Sequence, residues 1–374
     1  MTLHIQADEN MPGLERFACH GKLETASGRA ITRASLGDAS VLLVRSVTRV
    51  DADLLAGTAV RFVGSATIGT DHVDRDWLAQ QGIAFAHAPG CNAMAVAEYD
   101  LQAVLDWLLD VGRDPTGVTV GVIGCGHVGA RAAALFRAAG MTVWACDPPR
   151  QRAGESLPGV PVTLDQALEA DVITLHVPLT REDPDPTFHL LDEARLQRLE
   201  PEQLLLNTSR GPVIDNVALA RRLRANGPAS VLDVWENEPA IDPALFRSCR
   251  LGTPHVAGYS REGKLRGTAR VYQAFCDWQG LSGDPASVVP PEADIRQSVE
   301  NLQDLLALLR SRYNVRDDHG ALRAALDAPD PAAAFDGLRK NYPVRHECAG
   351  LRVRGRVAEA WRPLLSALGV TQAS

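Results

Sequence analysis

A glycine-rich turn between an apolar strand and an alanine-rich helix constrains the fold of this chain more than any other feature. The segment VTVGVIG (118–124) is predicted to be a buried strand, and Gly124, Gly126 and Gly129 follow in the pattern G-x-G-x-x-G. The segment ARAAALFRAAG then continues with helical character. Glycines at this spacing let the backbone approach a pyrophosphate, and the first helical turn offers free N–H groups and a favourable dipole. The sequence therefore predicts a dinucleotide-binding unit.

An acidic residue after the next predicted strand indicates NAD as the dinucleotide. The strand TVWAC (142–146) ends before Asp147, which lies 18 residues after Gly129. At this distance a carboxylate accepts the ribose hydroxyls of NAD and repels the extra phosphate of NADP. Arg150, three residues further on, is a guanidinium that can accommodate a 2'-phosphate. NAD is therefore the predicted cofactor, and NADP is kept as the alternative.

Apolar runs of strand length alternate with amphipathic stretches of helix length, which is typical of parallel sheets with crossover helices. A helix is predicted over residues 93–111. The predicted strands, besides those already given, lie at 41–46, 61–66, 83–88, 172–178, 204–209, 229–235 and 250–255. The expected fold class is α/β.

The composition excludes several function classes. A net charge of -8 gives no reason to expect a nucleic acid or an anionic membrane as partner. The segment MTLHIQADENMPG lacks the features of a signal peptide, and no run of about 18 apolar residues occurs, so a cytoplasmic protein is expected. The seven cysteines are scattered without paired spacing. They are expected to be reduced thiols, mostly buried, and no metal site is expected.

Three polar residues follow the later predicted strands of the dinucleotide unit. Arg210 follows LLLNTS, Glu238 lies in WENEP and His255 lies in TPHVAG. A guanidinium fork suits the carboxylate of a hydroxy acid, and a histidine held by a carboxylate suits the base that accepts the hydroxyl proton. Glu236 is the nearest rival to Glu238 as the partner of the histidine.

The motifs GVIGCGHVG, NTSRGPVIDN, LDVWENEP and TPHVAGYS resemble the D-2-hydroxyacid dehydrogenase family. The resemblance implies that Arg210, Glu238 and His255 are catalytic and that Asp233 faces the nicotinamide carboxamide. Val177 stands where the family usually has a threonine, so only a backbone or packing contact is expected there. The predicted cofactor-binding residues are Gly124, Gly126, His127, Val128, Gly129, Asp147, Val177, Thr208, Ser209, Arg210, Asp233 and Gly258.

Further segments are similar to family members that oxidise a phosphorylated hydroxy acid, among them DENMP, VRSVT, VGSATIGTDHVD, AGYSREGKLRGT and LRKNYPVRHE. Hydroxyls and a guanidinium at predicted strand ends favour such a substrate on physical grounds. The resemblance implies that Tyr259 also contacts the substrate. The basic cluster of Arg339, Lys340 and Arg345 is expected to be a solvated charged face, and phosphate binding is the alternative. The candidate substrate-binding residues are Arg45, Ser46, Thr67, Tyr259 and Arg345.

The expected architecture has three domains. A flavodoxin-like substrate domain of residues 1–95 and 256–285 contains an inserted Rossmann-type NAD domain of residues 96–255. The Pro- and Gly-rich segment 282–294 is predicted as a linker. A helix is predicted over residues 295–313 after it. A C-terminal α+β domain of residues 286–374 is expected to form a homodimer, as the resemblance implies.

Two alternative functions remain open at this point. One is a 3-phosphoglycerate dehydrogenase, which shares the catalytic residues. Its substrate has one carbon and one hydroxyl fewer than the phosphorylated hydroxy acid that the resemblance implies. The other belongs to a different class: a dinucleotide-sensing corepressor on the same fold, in which the cofactor changes association and drives no chemistry. Turnover of a phosphorylated hydroxy acid with NAD would distinguish these functions.

Overall fold

The computed structural model describes residues 3–182, 184–283 and 288–373, and its contacts divide the chain into two compact units. The first unit lies within Met1–Asn92 and Ser260–Val289, and the second within Ala93–Tyr259 and Pro290–Ser374. The predicted boundary at 285–286 falls outside the described residues. The C-terminal segment groups with the predicted NAD domain, and the three-domain division stays a prediction.

The strands of the described residues form three sheets. In chain order the strands are β1 (Leu3–Asp8), β2 (Gly21–Ala26), β3 (Val41–Val44), β4 (Phe62–Ser65), β5 (Ala84–His87), β6 (Thr119–Ile123), β7 (Thr142–Cys146), β8 (Val160–Pro161), β9 (Val172–Leu175), β10 (Leu204–Asn207), β11 (Ala229–Leu232), β12 (Leu251–Gly252), β13 (Ala293–Ile295), β14 (Leu351–Val353) and β15 (Thr371–Gln372).

Helices connect most of these strands. In chain order they are α1 (Glu15–Ala18), α2 (Arg33–Leu36), α3 (Ala52–Leu55), α4 (Arg75–Gln80), α5 (Ala93–Asp110), α6 (His127–Ala138), α7 (Pro148–Arg152), α8 (Leu164–Ala167), α9 (Glu193–Gln197), α10 (Asn216–Arg224), α11 (Pro243–Ser248), α12 (Arg261–Gln279), α13 (Leu302–Arg310), α14 (Val315–Leu326), α15 (Pro331–Lys340) and α16 (Arg362–Ala367). None of the described helices is long and apolar enough to cross a membrane.

The first unit is built on a parallel sheet with the strand order β2-β1-β3-β4-β5. Strand β3 is buried along its whole length, as a central strand of a covered parallel sheet must be. Helix α12 packs closely on this sheet, because a Cβ atom on Gly64 would lie 2.3 Å from Val271 Cγ1. The sheet places the ends of β3 and β4 side by side, which matters for the candidate site below.

The second unit contains a parallel sheet with the order β12-β11-β10-β9-β6-β7-β8. The strand order reverses between β6 and β9, because β6 to β8 are added toward one edge of the sheet and β9 to β12 toward the other. In open α/β sheets ligands bind at the carboxyl ends of the strands beside such a reversal. The loops after β6, β9, β10, β11 and β12 therefore share the edge where a ligand is expected.

The C-terminal segment carries a small parallel sheet, β13-β14-β15, and is joined to α5 by polar contacts within the second unit. The amide of Gln102 donates to the Tyr313 carbonyl (2.6 Å) and accepts the Val315 N–H (2.8 Å). Asp106 is 1% exposed and accepts hydrogen bonds from three arginines. These are Arg250, Arg310 and Arg316.

The predicted α/β class is confirmed; the strand predicted at 142–146 has the predicted bounds, and the other predicted strands occur with earlier ends. The predicted strand 172–178, for example, is regular only to Leu175, because the residues that follow leave the sheet as a loop. The predicted helix 295–313 is wrong in its first part: Ile295 ends β13 and Val299 pairs with Val357. Asn301 accepts the Asp304 N–H and so starts the helix at residue 302.

Part of the predicted linker 282–294, residues 284–287, lies outside the described residues. Ala293 and Asp294 at its end belong to β13 and are not linker. The cysteines are free, and all except Cys19 are buried, as expected for ordinary thiols.

Candidate active site

The glycine turn joins β6 to α6 and fits the pyrophosphate of a dinucleotide. Gly124 has φ 87°, a left-handed conformation that favours glycine. A Cβ atom on Gly129 would lie 1.9 Å from the Gly124 carbonyl oxygen, so the helix can approach the strand only with glycine there. A Cβ atom on Gly126 would meet no described atom within 4 Å. Val177 lies beside Gly124, and its contact with the cofactor stays a prediction.

Asp147 lies directly after β7 and is held against the glycine turn. Its Oδ2 accepts the Cys125 N–H (2.8 Å), and its Oδ1 accepts the Arg150 N–H (3.2 Å). The Arg150 side chain donates to Glu155 (2.7 Å) and to the Cys125 carbonyl. The carboxylate of Asp147 keeps further lone pairs for a ribose, whereas the guanidinium of Arg150 is held in place by an ion pair with Glu155 and by the Cys125 carbonyl.

The loop after β10 is organised by Asn207. Its side-chain oxygen accepts both the N–H (3.0 Å) and the hydroxyl (2.8 Å) of Ser209, and its amide donates to the Arg210 carbonyl (2.9 Å). The hydroxyl of Thr208 donates to Asp100 (3.3 Å), a carboxyl whose pKa burial raises well above the usual value. The structure thus fixes three predicted cofactor-binding residues in one loop.

Arg210 begins a short turn that packs on the loop after β11. A Cβ atom on Gly211 would lie 2.0 Å from the backbone of Trp235, so only glycine allows the two loops to approach so closely. The Arg210 guanidinium is half-buried and donates one bond to the Ser209 carbonyl (2.7 Å). This packing brings the loops that carry Arg210 and Glu238 to the same sheet edge.

Glu238 and His255 form a hydrogen-bonded pair. His255 Nδ1 lies 2.8 Å from Glu238 Oε2, and the other carboxylate oxygen accepts the Trp235 N–H (2.8 Å). Burial opposes the charge of Glu238, but the His255 ring, Arg339 and the Trp235 N–H together hold the pKa of this carboxyl below its usual value. The arrangement leaves His255 Nε2 as the ring nitrogen that can accept a proton.

Glu236, the rival of Glu238, has a different partner. Its Oε1 lies 2.8 Å from His189 Nε2, and its Oε2 accepts the Asn216 N–H (3.0 Å). The sequence placed both glutamates within three residues and could not separate them. The geometry does so, because the backbone after β11 directs the two side chains to different neighbours.

Asp233 is almost fully buried and binds the segment that follows His255. Its carboxylate accepts the Thr253 hydroxyl (2.6 Å) and the N–H groups of Val256 (2.8 Å) and Ala257 (2.9 Å). This network fixes the backbone that leads to Gly258. The predicted contact between Asp233 and the nicotinamide carboxamide stays a prediction.

Three predicted substrate-binding residues lie at the carboxyl ends of adjacent strands of the first unit. Arg45 and Ser46 follow β3, and Thr67 follows β4. Ser46 is exposed and Arg45 is half-buried. The hydroxyl of Thr67 donates to the Gly69 carbonyl (3.0 Å) and lies 2.8 Å from Ser65 Oγ. The three side chains therefore share one sheet edge.

Lys264, on the first turn of α12, was missed by the sequence reasoning. Burial, followed by the positive charge of Arg45, lowers the pKa of Lys264 to about 8. Two cations kept close together in a partly buried place are a typical anion site. The only sequence signal was its place in the segment AGYSREGKLRGT, where nothing distinguished it from a surface lysine.

Arg345 lies in the interior of the second unit. Its terminal nitrogens donate to the carbonyls of Ala257 (2.8 Å) and Ala95 (2.7 Å), and its guanidinium stacks 3.7 Å from the centre of the Tyr313 ring. The residue is 4% exposed. A phosphate could reach it only at the cost of these bonds, so this geometry gives no support to the predicted substrate contact. Tyr259, in contrast, is half-buried.

Two family matches cover most of the second unit. Residues 96–257 match the D-isomer specific 2-hydroxyacid dehydrogenase, NAD binding domain. Residues 288–369 match a domain of unknown function, DUF3410. The first match includes the glycine turn, Arg210, Glu238 and His255.

Full-length relatives give a finer comparison. The chain is 47% identical to an erythronate-4-phosphate dehydrogenase of Pseudomonas aeruginosa, covering 98% of this chain and 99% of the relative. It is 46% identical to one of Marinobacter nauticus, covering 94% of each chain.

Among solved structures, the TT0316 protein of Thermus thermophilus is similar with a TM-score of 0.65 and 26% identity, over 76% of this chain and 99% of that one. The D-lactate dehydrogenase of Aquifex aeolicus, solved with NAD and lactic acid, has a TM-score of 0.60 and 24% identity, over 74% of this chain and 96% of that one.

Proposed function

Because this chain belongs to the erythronate-4-phosphate dehydrogenases of the D-isomer specific 2-hydroxyacid dehydrogenase family, we propose that it oxidises 4-phospho-D-erythronate to (R)-3-hydroxy-2-oxo-4-phosphooxybutanoate. The chain is an NAD-dependent oxidoreductase. The observation that carries the proposed reaction is the 2.8 Å bond between His255 and Glu238, at the sheet edge that also holds the glycine turn.

The residues of the second unit supply what oxidation of a 2-hydroxy acid needs. Arg210 binds the substrate carboxylate and the neighbouring hydroxyl oxygen through its planar fork. Nε2 of His255 accepts the hydroxyl proton, while Glu238 holds the ring in one tautomer and stabilises the imidazolium that forms. NAD, held by the glycine turn and Asp147, would supply the acceptor for the hydride that leaves the same carbon. Loss of one proton and one hydride converts the carbon–oxygen bond to a carbonyl.

We assign NAD, and not NADP, as the natural cofactor. Asp147 has lone pairs for the ribose hydroxyls and a negative charge that repels a 2'-phosphate. Arg150 would be the residue to bind that phosphate, but it is paired with Glu155 and with the Cys125 carbonyl. Freeing it would cost both interactions, which supports the NAD assignment.

We assign the substrate phosphate to the cationic edge of the first unit. Arg45 and Lys264 supply positive charge, Ser46 supplies a hydroxyl donor, and Thr67 would donate to the phosphate in place of the Gly69 carbonyl. Burial, and after it the positive charge of Arg45, lowers the pKa of Lys264, and a phosphate dianion would offset the repulsion between the two cations. Tyr259 is proposed as a further substrate contact, in line with the resemblance of its motif.

The proposed reaction would place this protein in the synthesis of pyridoxal 5'-phosphate. The proposed assembly is a homodimer formed through the C-terminal segment, where Val344 is 72% exposed. Static light scattering tests the assembly: a mass of twice 40.2 kDa supports it, and a monomer at micromolar concentration contradicts it.

The function is tested by mixing purified protein with NAD and following the absorbance of NADH. 4-Phospho-D-erythronate is compared with 3-phosphoglycerate and with unphosphorylated erythronate. We expect the highest kcat/KM with 4-phospho-D-erythronate. Preference for 3-phosphoglycerate would favour the phosphoglycerate alternative, and binding of NAD without turnover of any acid would favour a sensor. Titration of the released NADH against the enzyme concentration shows whether NADH leaves after each cycle or stays bound.

A further inference from the structure

Arg339, near the end of α15 in the C-terminal segment, lies beside the ring of Tyr259, four residues after His255 in the chain. Its guanidinium carbon is 5.9 Å from the centre of the Tyr259 ring, and its side chain hydrogen-bonds the Tyr259 hydroxyl. Its positive charge acts on Glu238, the carboxylate that binds His255. The Arg339 Nε atom is buried and has no hydrogen-bond partner among the described residues.

The residues around Arg339 hold the segment after His255 in place. Tyr342 packs edge-on against Tyr259, with ring centres 5.6 Å apart, and its hydroxyl donates to Asp318 (2.7 Å). Arg345 donates to the Ala257 carbonyl (2.8 Å). The C-terminal segment therefore contacts the backbone and the side chains of residues 257–259, directly beside the candidate base.

We propose that Arg339 is a positioning residue of the dehydrogenase, which places a positive charge beside the Glu238–His255 pair and orients the Tyr259 hydroxyl toward the substrate. This inference rests on the proposed function of the same site. Residues 288–369, which match a domain of unknown function, would then contribute to the active site as well as to the proposed homodimer. Arg339 acts through Glu238 and Tyr259, so it needs no contact with the reacting atoms.

The expected pH dependence follows from the charged groups that face Glu238 and His255. Glu238 faces His255 and Arg339, and Arg339 in turn faces Glu238, Tyr259 and Asp336. When the positive charge of Arg339 is removed, the surroundings of the Glu238–His255 pair become more negative by one charge, and the pair binds its proton more tightly. A base that must be unprotonated to oxidise the alcohol then becomes active only at higher pH.

The test compares Arg339→Gln, Arg339→Lys and Arg362→Gln across pH. Arg362 is exposed and paired with Glu359, so its variant removes the same charge from the C-terminal segment far along the chain from α15. We expect the acid limb of kcat/KM in Arg339→Gln to move up by about half a pH unit or more. The limb should stay in place in Arg339→Lys and in Arg362→Gln.

A second readout does not depend on turnover. The His255 ring proton resonance is titrated by NMR and identified by its absence in His255→Gln. Its midpoint should rise in Arg339→Gln and stay unchanged in Arg339→Lys. This measurement tests the proposal even if neither phosphorylated acid is a substrate, which separates failure of the inference from failure of the proposed function.

Tyr259→Phe tests the orienting part. It removes the hydroxyl that Arg339 binds and leaves the charge beside Glu238, so KM should rise while the acid limb stays in place. The inference is overturned if Arg339→Gln loses activity with an unmoved acid limb and an unmoved His255 titration. It is also overturned if Arg339→Lys shifts both as far as the glutamine variant does. Thermal unfolding confirms that each variant is folded.

Discussion

Nδ1 of His255 lies 2.8 Å from Oε2 of Glu238, and the second carboxylate oxygen of Glu238 accepts the Trp235 N–H. Both carboxylate oxygens of Glu238 are therefore hydrogen-bonded within the protein. The imidazole ring is held through Nδ1, which leaves Nε2 to accept a proton. His255 itself has φ 58°, an uncommon left-handed conformation for a residue other than glycine. The surrounding loops hold that conformation, as expected where the backbone positions a functional side chain.

The first prediction concerns this pair. His255→Ala should lower kcat by roughly 10²- to 10⁴-fold, because the proton of the hydroxyl loses its acceptor, while NAD binding measured by fluorescence is retained. Glu238→Gln should also lower kcat, since the imidazolium loses its charge partner. Glu236→Gln is the matched control and should keep most of the activity, because Glu236 binds His189 instead. An equal loss in both glutamine variants would contradict the assigned pairing.

The second prediction concerns Arg210. Arg210→Lys retains the charge but replaces a planar fork by a single ammonium, so the carboxylate and the reacting hydroxyl lose their common clamp. We expect kcat/KM for the hydroxy acid to fall by roughly 10- to 100-fold, with the KM for NAD almost unchanged. Steady-state kinetics with each substrate varied in turn measures both values. A change confined to the KM for NAD would assign Arg210 to the cofactor only.

The third prediction follows from the lowered pKa of Lys264, about 8. Below that pH the ammonium is charged and attracts the substrate phosphate; above it the charge is lost, so KM for the phosphorylated acid should rise as pH increases through 8. Lys264→Met should have a raised KM already at neutral pH and should lose this dependence. The unphosphorylated acid serves as the control substrate, and an identical KM profile for both acids would contradict a phosphate contact.

The fourth prediction concerns cofactor choice. Asp147→Asn removes the charge that repels a 2'-phosphate, so KM for NAD should rise while KM for NADP falls. Adding Glu155→Gln frees Arg150 from its ion pair and should improve the use of NADP further. Glu155→Gln alone is the control, because Asp147 still repels the phosphate. The ratio of kcat/KM for the two cofactors measures the effect, and an unchanged ratio in the double variant would refute the assignment.

The fifth prediction concerns stability. Asp106 accepts bonds from Arg250, Arg310 and Arg316 and is 1% exposed, so Asp106→Asn removes the anion that these three guanidinium groups share, while Asp110 still pairs with Arg250 and Arg316. We expect a loss of about 2–3 kcal/mol, below the full cost of a buried pair because the arginines are partly solvated. Asp165→Asn breaks an exposed pair and should cost below about 0.5 kcal/mol. Urea unfolding compares them, and equal midpoints would disprove the difference.

Patterns with a short range along the chain predicted much of the fold. The glycine turn, the strand before it and the helix after it are neighbours in sequence, so their geometry follows from local backbone preferences. Strand ends were placed too late because the residues beyond Leu175 and Asn207 continue the apolar or β-forming pattern although they already form loops. The helix predicted from 295 began too early, since helical spacing cannot show that Val299 bridges Val357.

The sequence by itself determined the α/β class, the dinucleotide turn and the set of polar residues that follow the later strands. Only the tertiary structure decided which glutamate meets His255, that Arg345 is buried on backbone carbonyls, and that Lys264 and Arg339 lie near functional groups. The physical reason is range. Turn and strand geometry depend on adjacent residues, whereas charge pairing and burial depend on side chains that approach from other segments, 17 residues apart for Glu238 and His255 and 88 apart for Ala257 and Arg345.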